Sequence, residues 1–279
     1  MPKNKLVSPV LKWVGGKRQI LPNIVELLPT QLTRRTYYEP FLGGGAVLFH
    51  LQPRNAVVND FNSELINLYI VIRDHLEELI VDLRIHINES EYFYHLRGID
   101  RTPAFQDLNL VQRASRVVYL NKTCFNGLYR VNSSGEFNTP FGRYKNPSIV
   151  NEPTLRAVSH YLNNNNIQLL NGDYATAVIN ADRNSFVYFD PPYHPVSASS
   201  NFTGYIEGGW NERDQIRLRE LCDELTERGV KFLLSNSSTE FIHEQYANYD
   251  IRKVLASRSI NSDSTKRGDV EEVLIRNYE

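Results

Sequence analysis

The chain has 279 residues, of which 41% are hydrophobic and 23% charged, and its formal net charge is −1. These values predict a globular fold with one sizeable core, with room for a smaller inserted domain, and exclude a disordered chain. Cys124 and Cys222 are too few for a disulfide framework or a zinc site, and no apolar run approaches 18 residues. We therefore expect a cytoplasmic protein with reduced thiols, no membrane segment and no metal.

The near-neutral total conceals stretches of opposite charge. Residues 1–18 contain five basic and no acidic residues, residues 60–95 contain eight acidic and two basic ones, and residues 97–147 contain eight basic and three acidic ones. Separated basic patches favour a polyanion partner that contacts one face of the protein. Ordinary surface charge can give the same distribution, so charge alone does not establish a polyanion partner.

Strands and helices alternate in the first and last thirds of the chain. Hydrophobic patterns predict strands at 36–40, 56–59, 167–170, 186–190 and 230–235, and an antiparallel pair at 251–256 and 271–277. They predict helices near 45–51, over 62–85 and over 211–228, the last capped by Asn211 and ended by Gly229.

This pattern predicts an α/β fold, a mostly parallel Rossmann-like sheet with helices on both faces. Residues 86–165 interrupt it with aromatic and basic residues, Asn/Gly turns and a hairpin signal around Asn132 and Gly135. We therefore divide the chain into 1–85, an inserted domain at 86–165, and 166–279. Ligands of such sheets bind at the carboxyl ends of strands, which predicts chemistry just after residues 40, 59, 190 and 235.

The strongest motif is Asp190-Pro191-Pro192-Tyr193, directly after a predicted buried strand. Two prolines end the strand abruptly and make a rigid turn, because neither can donate a backbone hydrogen bond. The turn presents a carboxylate, carbonyls and an aromatic face, which suit a planar base with an exocyclic amine. A plain strand-to-loop turn is the alternative.

Two further motifs favour a nucleoside ligand. Glu39-Pro40-Phe41-Leu42-Gly43-Gly44-Gly45 follows a strand, and its glycines allow close approach to the backbone. Asp60 ends the next strand and suits ribose hydroxyls. Near the N-terminus, residues 12–17 (KWVGGK) place a tryptophan and two cations around a Gly-Gly turn, which suits an adenosine or an amino-acid carboxylate, with Lys17 pairing the carboxylate. A basic arm packed by one aromatic residue is the alternative.

The order KWVGGK, FLGGG, ND, basic insert and DPPY resembles the DNA adenine methyltransferase (Dam) family. It is close to the class-α amino-methyltransferases that accompany restriction systems of the GATC type. The match runs from about Leu11 to Tyr278, and residues 126–132 and 137–144 are similar to the DNA-reading hairpin of that family. Tyr129 occupies a position that varies in the family.

The resemblance implies transfer of a methyl group from S-adenosylmethionine to N6 of adenine in double-stranded DNA, at GATC, by base flipping and direct in-line transfer. It implies the S-adenosylmethionine-dependent methyltransferase fold and a largely helical target-recognition insert with a β-hairpin. No metal and no covalent enzyme intermediate are expected. The resemblance leaves open a cognate restriction endonuclease that acts on the same site without contacting this chain.

The resemblance also implies roles for particular residues. The cofactor contacts are Trp13, Lys17, Phe41, Gly43, Gly45, Asp60 and Asp190, and the catalytic residues are Asp190, Pro191, Pro192 and Tyr193. The base-reading positions are Lys12, Leu128, Arg130 and Pro140, with Arg130 bidentate to a guanine. Phe125 matches an aromatic residue that wedges into the base stack. The predicted DNA contacts also include Asn126, Asn132 and Arg143.

The composition of the insert supports nucleic-acid binding independently. Its cations Arg130, Arg143 and Lys145 can bind phosphates, and the interleaved rings of Phe125, Tyr129, Phe141 and Tyr144 can stack on bases. An aromatic mini-core is the alternative for some of these rings. Two polar loops, 194–209 and 259–268, are expected to become ordered only on DNA, with Phe202 or Tyr205 closing over a flipped base.

Three other functions remain as alternatives. A related enzyme acting on cytosine N4 or a protein glutamine amide would use the same planar-amine motif. A nicotinamide oxidoreductase is disfavoured because the glycine pattern departs from G-x-G-x-x-G. A non-catalytic DNA-binding subunit is disfavoured by the intact DPPY motif.

Overall fold

The computed structural model describes residues 3–13, 15–132, 134–196, 209–257 and 269–279. Within them, each predicted strand is present, with ends displaced by at most two residues. The strands are β1 (Thr36–Glu39), β2 (Asn55–Asp60), β3 (Asn166–Asn171), β4 (Ser185–Phe189), β5 (Lys231–Ser237), β6 (Asp250–Ser257) and β7 (Asp269–Arg276).

The seven strands form one sheet in the order β3-β2-β1-β4-β5-β7-β6. The pairs β1–β2, β1–β4, β2–β3 and β4–β5 are parallel, whereas β5–β7 and β6–β7 are antiparallel. The predicted mostly parallel sheet with an antiparallel end is therefore confirmed, and the architecture is consistent with a methyltransferase fold. The strand order reverses at β1, which lies between β2 and β4.

Side chains on the two faces of the sheet belong to separate hydrophobic clusters. Tyr37 and Phe186 belong to one cluster, and their chain neighbours Tyr38 and Val187 belong to the other. This alternation follows from the two-residue period of a strand. Because both faces are buried, the middle of each central strand is mostly apolar, and every residue of β4 is buried.

Helices cover both faces. They are α1 (Leu21–Glu26), α2 (Ala46–Leu51), α3 (Ser63–Asp74), α4 (Leu76–Arg84), α5 (Ser90–Gly98), α6 (Ala104–Asp107), α7 (Leu110–Thr123), α8 (Glu152–Asn163), α9 (Tyr174–Ala177), α10 (Glu212–Glu227) and α11 (Glu240–Gln245). Residues of α2, α3, α4, α7 and α8 belong to the first cluster and residues of α9, α10 and α11 to the second.

The single helix predicted over 62–85 is wrong in one respect. His75, with φ −133°, separates α3 from α4, so the apolar stripe runs through two helices. By contrast, α10 begins and ends where predicted: Asn211 accepts a hydrogen bond from Arg213 N–H at its start, and Gly229, with φ +72°, follows its end.

The predicted insert, 86–165, supplies helices α5 to α8 and a short hairpin. The hairpin is joined by antiparallel bridges between Val131 and Phe137 and between Cys124 and Phe141. Helix α7 packs against α3 and α4, and buried residues of α7 and α8 belong to the same hydrophobic cluster as α3. The boundaries of the three-part division stay a prediction.

Within the described ranges, no helix has both the length and the apolar character that crossing a bilayer requires. The two polar loops predicted at 194–209 and 259–268, including Phe202 and Tyr205, lie largely outside the described residues.

Candidate active site

The ends of parallel strands bring the sequence motifs to one edge of the sheet. Glu39 ends β1, Asp60 ends β2, and Asp190 directly follows β4. Because β1 is the neighbour of both β2 and β4, the three carboxylates lie around the point where the strand order reverses. Open α/β sheets bind their ligands at such a point.

The glycine loop after β1 is held by the end of β2. Gly43 N–H donates to Asp60 Oδ2 at 2.8 Å, and Asn62 N–H donates to Asp60 Oδ1 at 2.9 Å. Gly43 and Gly45 have φ of +49° and +69°, a region that favours glycine. A side chain at Gly43 would come within 2.8 Å of the Trp13 ring, so the loop also needs glycine for space.

Two carboxyl groups beneath this loop have raised pKa values. Burial raises the pKa of Asp60 to about 6, although the hydrogen bonds from Asn62 and Gly43 oppose the shift. Burial raises the pKa of Glu39 to about 8, and the hydrogen bond from Tyr37 opposes it. Tyr37 OH donates to Glu39 Oε2 at 2.8 Å. Both groups therefore hold protons more tightly than exposed carboxylates.

Lys17 and Asp190 form an ion pair in the centre of the site. The distance from Lys17 Nζ to Asp190 Oδ1 is 2.7 Å, and Lys17 Nζ also donates to Gly15 O at 2.6 Å. Ser235 Oγ, from β5, donates to the same carboxylate oxygen at 3.1 Å. Burial raises the pKa of Asp190, while the charge and hydrogen bond of Lys17 and the hydrogen bond of Ser235 lower it.

Tyr193 completes the group around Lys17. The Lys17 ammonium lies 4.5 Å from the centre of the Tyr193 ring, and Tyr193 OH donates to Glu272 Oε2, on β7, at 2.9 Å. The pKa of Tyr193 is raised well above its usual value, first by burial and then by the charges of Asp190 and Glu272. The phenol therefore stays neutral, and its orientation is fixed by a contact at the hydroxyl.

Trp13 joins the N-terminal arm to the hairpin. Its ring stacks on Tyr129, with centroids 4.7 Å apart and an angle of 21° between planes, and it lies against Gly43 and Gly44. Trp13 is thus beside the glycine loop, as expected for a cofactor contact, but one of its faces is taken by Tyr129. Lys17 was expected to pair with a cofactor carboxylate, and in this structure it pairs with Asp190 instead.

Phe41 lies in an aromatic group at the same edge. Its ring stacks on Tyr174 at 5.0 Å and meets Trp210 edge-on at 5.5 Å. The Tyr174 hydroxyl and the Trp210 indole N–H are both buried without a hydrogen-bond partner among the described residues. Buried donors without an acceptor are uncommon in folded proteins, because an unpaired buried donor lowers the stability of the fold.

The hairpin carries Arg130 in a fixed orientation. Arg130 Nε donates to Asn138 Oδ1 at 2.6 Å, across the hairpin. Asn132, a predicted DNA contact, has its amide engaged within the turn: its Oδ1 accepts from the backbone of Ser134 and Glu136, and its Nδ2 donates to Glu136 Oε2. Asn132 therefore shapes the turn in this structure.

Lys12 lies beside the start of the hairpin segment. Asn121 accepts from Lys12 N–H at 3.0 Å and donates to the carbonyls of Lys12 and Gly127. A side chain at Gly127 would come within 2.6 Å of Lys12 Cδ, so the two segments are in close contact. The remaining predicted DNA contacts sit on the same segment: Asn126, Pro140 and Arg143 are exposed, Phe125 is 54% exposed, and Leu128 is half-buried.

The aromatic rings of the insert divide between core and surface. This corrects the prediction that all four rings can stack on bases. Tyr129 is only 6% exposed and packs on Trp13 and Phe137, and the half-buried Phe141 packs on Phe93. These two rings therefore belong to the aromatic mini-core that the sequence offered as the alternative. Of the predicted stacking rings, Phe125 and Tyr144 remain on the surface.

Sequence reasoning missed several residues at this edge. Asp173 and Tyr174 follow β3 just as Asp190 follows β4, so the rule of strand ends would have found them. Ser235 and Asn236 were expected at the end of a strand on this edge, lining the target pocket, but their hydrogen bonds to Asp190 and Gln215 were not foreseen. Gln215 was missed because a polar residue in a charged helix is expected on the surface. It is in fact 1% exposed and donates to Pro192 O at 2.8 Å.

Comparisons with known proteins agree on one family. The model of the D12 class N6 adenine-specific DNA methyltransferases matches residues 13–260. The chain is 46% identical to "Type II methyltransferase M1.LlaDCHI" of Lactococcus lactis subsp. cremoris, over 100% of this chain and 98% of that protein. It is 42% identical to "Type II methyltransferase M.MjaIII" of Methanocaldococcus jannaschii (98% and 99%), and 34% identical to "DNA adenine methylase" of Escherichia coli (98% and 95%). The chain belongs to the D12 class of N6 adenine-specific DNA methyltransferases.

Proposed function

We propose that this adenine-specific DNA methyltransferase takes its methyl group from S-adenosylmethionine and acts at GATC by flipping the adenine out of the duplex. Methyl transfer to N6 of adenine in DNA follows from the family. The observation that carries the proposal for the cofactor and the flipped adenine is the meeting of the Lys17–Asp190 pair, Tyr193 and the Asp60-held glycine loop at one sheet edge. The GATC site rests on the resemblance of the sequence motifs.

The residues at this edge fit S-adenosylmethionine. Asp60 offers a carboxylate at the end of β2, where ribose hydroxyls bind in related sheets, and the glycine loop allows close approach to the backbone. The Tyr174 hydroxyl and the Trp210 N–H, which have no hydrogen-bond partner within the described ranges, suit the nitrogen acceptors of an adenine. The neighbouring ring of Phe41 suits its flat face. When bound, the cofactor supplies an electrophilic methyl group on a positively charged sulfur. Trp13, Lys17, Gly43 and Gly45 are the other proposed cofactor contacts.

The turn after β4 is proposed to hold the target amine. The Asp190 carboxylate and the Pro191 carbonyl accept the two amine hydrogens, and the nitrogen lone pair is then directed away from the ring plane. Pro192 keeps the turn rigid, and Tyr193 stacks on the flipped base. No covalent enzyme intermediate is formed, and the rate gain comes chiefly from proximity and orientation.

The hairpin is proposed to read the duplex. Arg130 makes a bidentate contact to a guanine, and the hydrogen bond from its Nε to Asn138 orients the guanidinium for that contact. Phe125 occupies the gap left in the stack, and Lys12, Asn126, Leu128, Asn132, Pro140 and Arg143 contribute the remaining contacts. Since Asn132 also shapes the turn, its proposed DNA contact and its structural role are in competition.

Acceptance of a cytosine amine or a glutamine amide, the alternative drawn from the sequence, is not favoured, since the matching family model is described as specific for N6 of adenine. Similarity to proteins named "DNA adenine methylase" supports adenine as the target base. A cognate restriction endonuclease and a cytoplasmic location stay expectations from the sequence.

The direct test is incubation of the protein with S-adenosylmethionine labelled in its methyl group and plasmid DNA. The expected product is labelled N6-methyladenine, with protection from a nuclease that methylated GATC blocks. Label in N6-methyladenine without that protection would reject the GATC site alone, whereas no label in DNA would reject the cofactor. A duplex with 2-aminopurine at the target position reports flipping through its fluorescence.

A further inference from the structure

Two fully buried amides lie beneath the DPPY turn. Gln215, in the first turn of α10, is 1% exposed, and Asn236, in β5, is 0% exposed. Gln215 Nε2 donates to Pro192 O at 2.8 Å, and Asn236 Nδ2 donates to Gln215 Oε1 at 3.1 Å. Neither residue is among the contacts proposed for cofactor, base or DNA.

The direction of this hydrogen-bond chain is fixed by the backbone. Asn236 Oδ1 accepts from the backbone N–H groups of His194 and Ser237, both at 2.9 Å. Backbone N–H groups can only donate, so the Asn236 oxygen must face them and its NH₂ must face Gln215. The Gln215 oxygen then faces Asn236, and its NH₂ can only face the Pro192 carbonyl.

The fixed direction matters because the two prolines leave the turn few ways to hold itself. Neither Pro191 nor Pro192 has an N–H to donate, so the two peptides that precede them can be held only through their carbonyls. The next peptide, which joins Pro192 to Tyr193, is therefore a place where a bond can hold the turn, and its carbonyl is Pro192 O. The Gln215 bond commits the Pro192 carbonyl to the protein interior. Without that donor, the buried carbonyl has no hydrogen-bond partner. Because this is unfavourable, the turn is expected to rotate toward another donor.

We propose that Gln215 and Asn236 are positioning residues for methyl transfer, which hold the Pro192 peptide so that Asp190 and the Pro191 carbonyl face the target amine together. This inference rests on the proposed role of the DPPY turn. The amides touch neither cofactor nor base, so their effect falls on the rate of the chemical step.

The test compares Gln215→Leu and Gln215→Glu with the unchanged protein, using S-adenosylmethionine and a GATC duplex. Gln215→Leu removes the donor at similar volume. We expect its single-turnover methylation rate to fall about 10- to 100-fold, because small misplacements of reacting groups cost that much. Binding of cofactor and duplex, and 2-aminopurine fluorescence, should change less than about twofold.

Gln215→Glu supplies a readout that a merely structural role would not move. A glutamate can accept from Asn236, but it can donate to Pro192 O only when protonated. Its rate relative to the unchanged protein should therefore recover as the pH falls, whereas that of Gln215→Leu should not. Leu218→Ala is the matched control: Leu218 is on the same helix and fully buried, so it lowers thermal stability without loosening the turn.

Asp190→Ala, measured in parallel, separates the two proposals. If Asp190→Ala loses methylation while Gln215→Leu keeps the unchanged rate, or while Gln215→Glu shows no recovery at lower pH, the positioning proposal is overturned and the role of the turn stands. If Asp190→Ala keeps the rate, both fall. A rate loss in Leu218→Ala equal to that of Gln215→Leu would also overturn the positioning role, since instability would explain it.

Discussion

Lys17 and Asp190 form a partly buried ion pair, with 2.7 Å between Nζ and Oδ1, although Lys17 lies in the N-terminal arm and Asp190 at the end of a central strand. Burial makes the charged carboxylate costly, and the lysine offsets this cost. The arm thereby controls the charge of the residue that we place at the target amine. Its contribution can be measured through pH.

We expect Lys17→Met to slow methylation most strongly at acidic pH. Lys17 lowers the pKa of Asp190 against the effect of burial, so its loss raises that pKa and the carboxylate takes up a proton at higher pH. The acid limb of the pH–rate profile should move to higher pH, because the carboxylate is then protonated over a wider range of pH. Single-turnover rates between pH 5 and 9 test this.

Lys5→Met, in the exposed part of the arm, is the control and should leave the profile in place. If the profiles of Lys17→Met and the unchanged protein have the same shape after scaling, the ion pair does not set the charge of Asp190.

The positions of the strands, and the carboxylates at the ends of two of them, were predictable from the sequence. Alternating apolar runs gave all seven strands, and the rule of strand ends gave Asp60 and Asp190. The Lys17–Asp190 contact was not predictable, because nothing in a local pattern says which carboxylate a distant lysine will meet. The pairing of Trp13 with Tyr129 was hidden for the same reason.

Burial of polar residues was the second limit. Gln215 and Glu39 are polar by type, and a sequence pattern assigns such residues to the surface. Their burial depends on hydrogen-bond partners in other elements of the fold, such as Asn236 of β5 for Gln215 of α10. Partners of this kind become visible only once the sheet is assembled.

Glu39→Gln should stabilise the protein at alkaline pH. The pKa of Glu39 is about 8 in the fold because of burial, and about 4.5 in an exposed chain. Between these values the folded state binds one proton more than the unfolded state, so the free energy of unfolding falls by roughly 1 kcal/mol per pH unit as the pH rises. A glutamine imitates the protonated carboxyl and does not titrate.

The melting temperatures of Glu39→Gln and the unchanged protein should therefore coincide near pH 5 and diverge toward pH 8, with the variant higher. Glu91→Gln removes an exposed carboxylate of α5 and should show no such divergence. A constant difference between pH 5 and 8 would mean that Glu39 is not the titrating group.

Arg130→Ala should relax the choice of DNA sequence. Its guanidinium is oriented by Asn138, and we expect it to recognise a guanine edge. Loss of a bidentate contact of this kind removes about 1–3 kcal/mol of discrimination, roughly 10- to 100-fold in relative rate. The measurement is kcat/KM on GATC and on duplexes with each guanine–cytosine pair replaced.

Lys145→Ala is the comparison for charge alone. Lys145 is exposed in the same segment, and removing a phosphate contact should weaken binding equally on all sequences and reduce the salt dependence by about one unit of slope. Equal discrimination by Arg130→Ala and Lys145→Ala would show that Arg130 acts only through its charge.

Phe125→Ala should impair base flipping without affecting the fold. The backbone at this position is anchored, since Phe125 N–H donates to Pro140 O at 2.8 Å, but the ring is 54% exposed. Removing a surface ring changes the free energy of unfolding by no more than about 0.5 kcal/mol. A wedge that replaces the extruded adenine in the stack stabilises the flipped state by roughly 1–3 kcal/mol.

The expected result is an unchanged melting temperature together with weaker 2-aminopurine fluorescence at the target position and a slower single turnover. Tyr144→Ala removes the other exposed ring of the segment and distinguishes a wedge at one position from general stacking. If both variants reduce the fluorescence equally, the rings act as a common stacking surface. If neither variant reduces the fluorescence, no side chain fills the gap that the adenine leaves in the base stack. The free energy that keeps the adenine flipped must then come from contacts between the base and the DPPY turn.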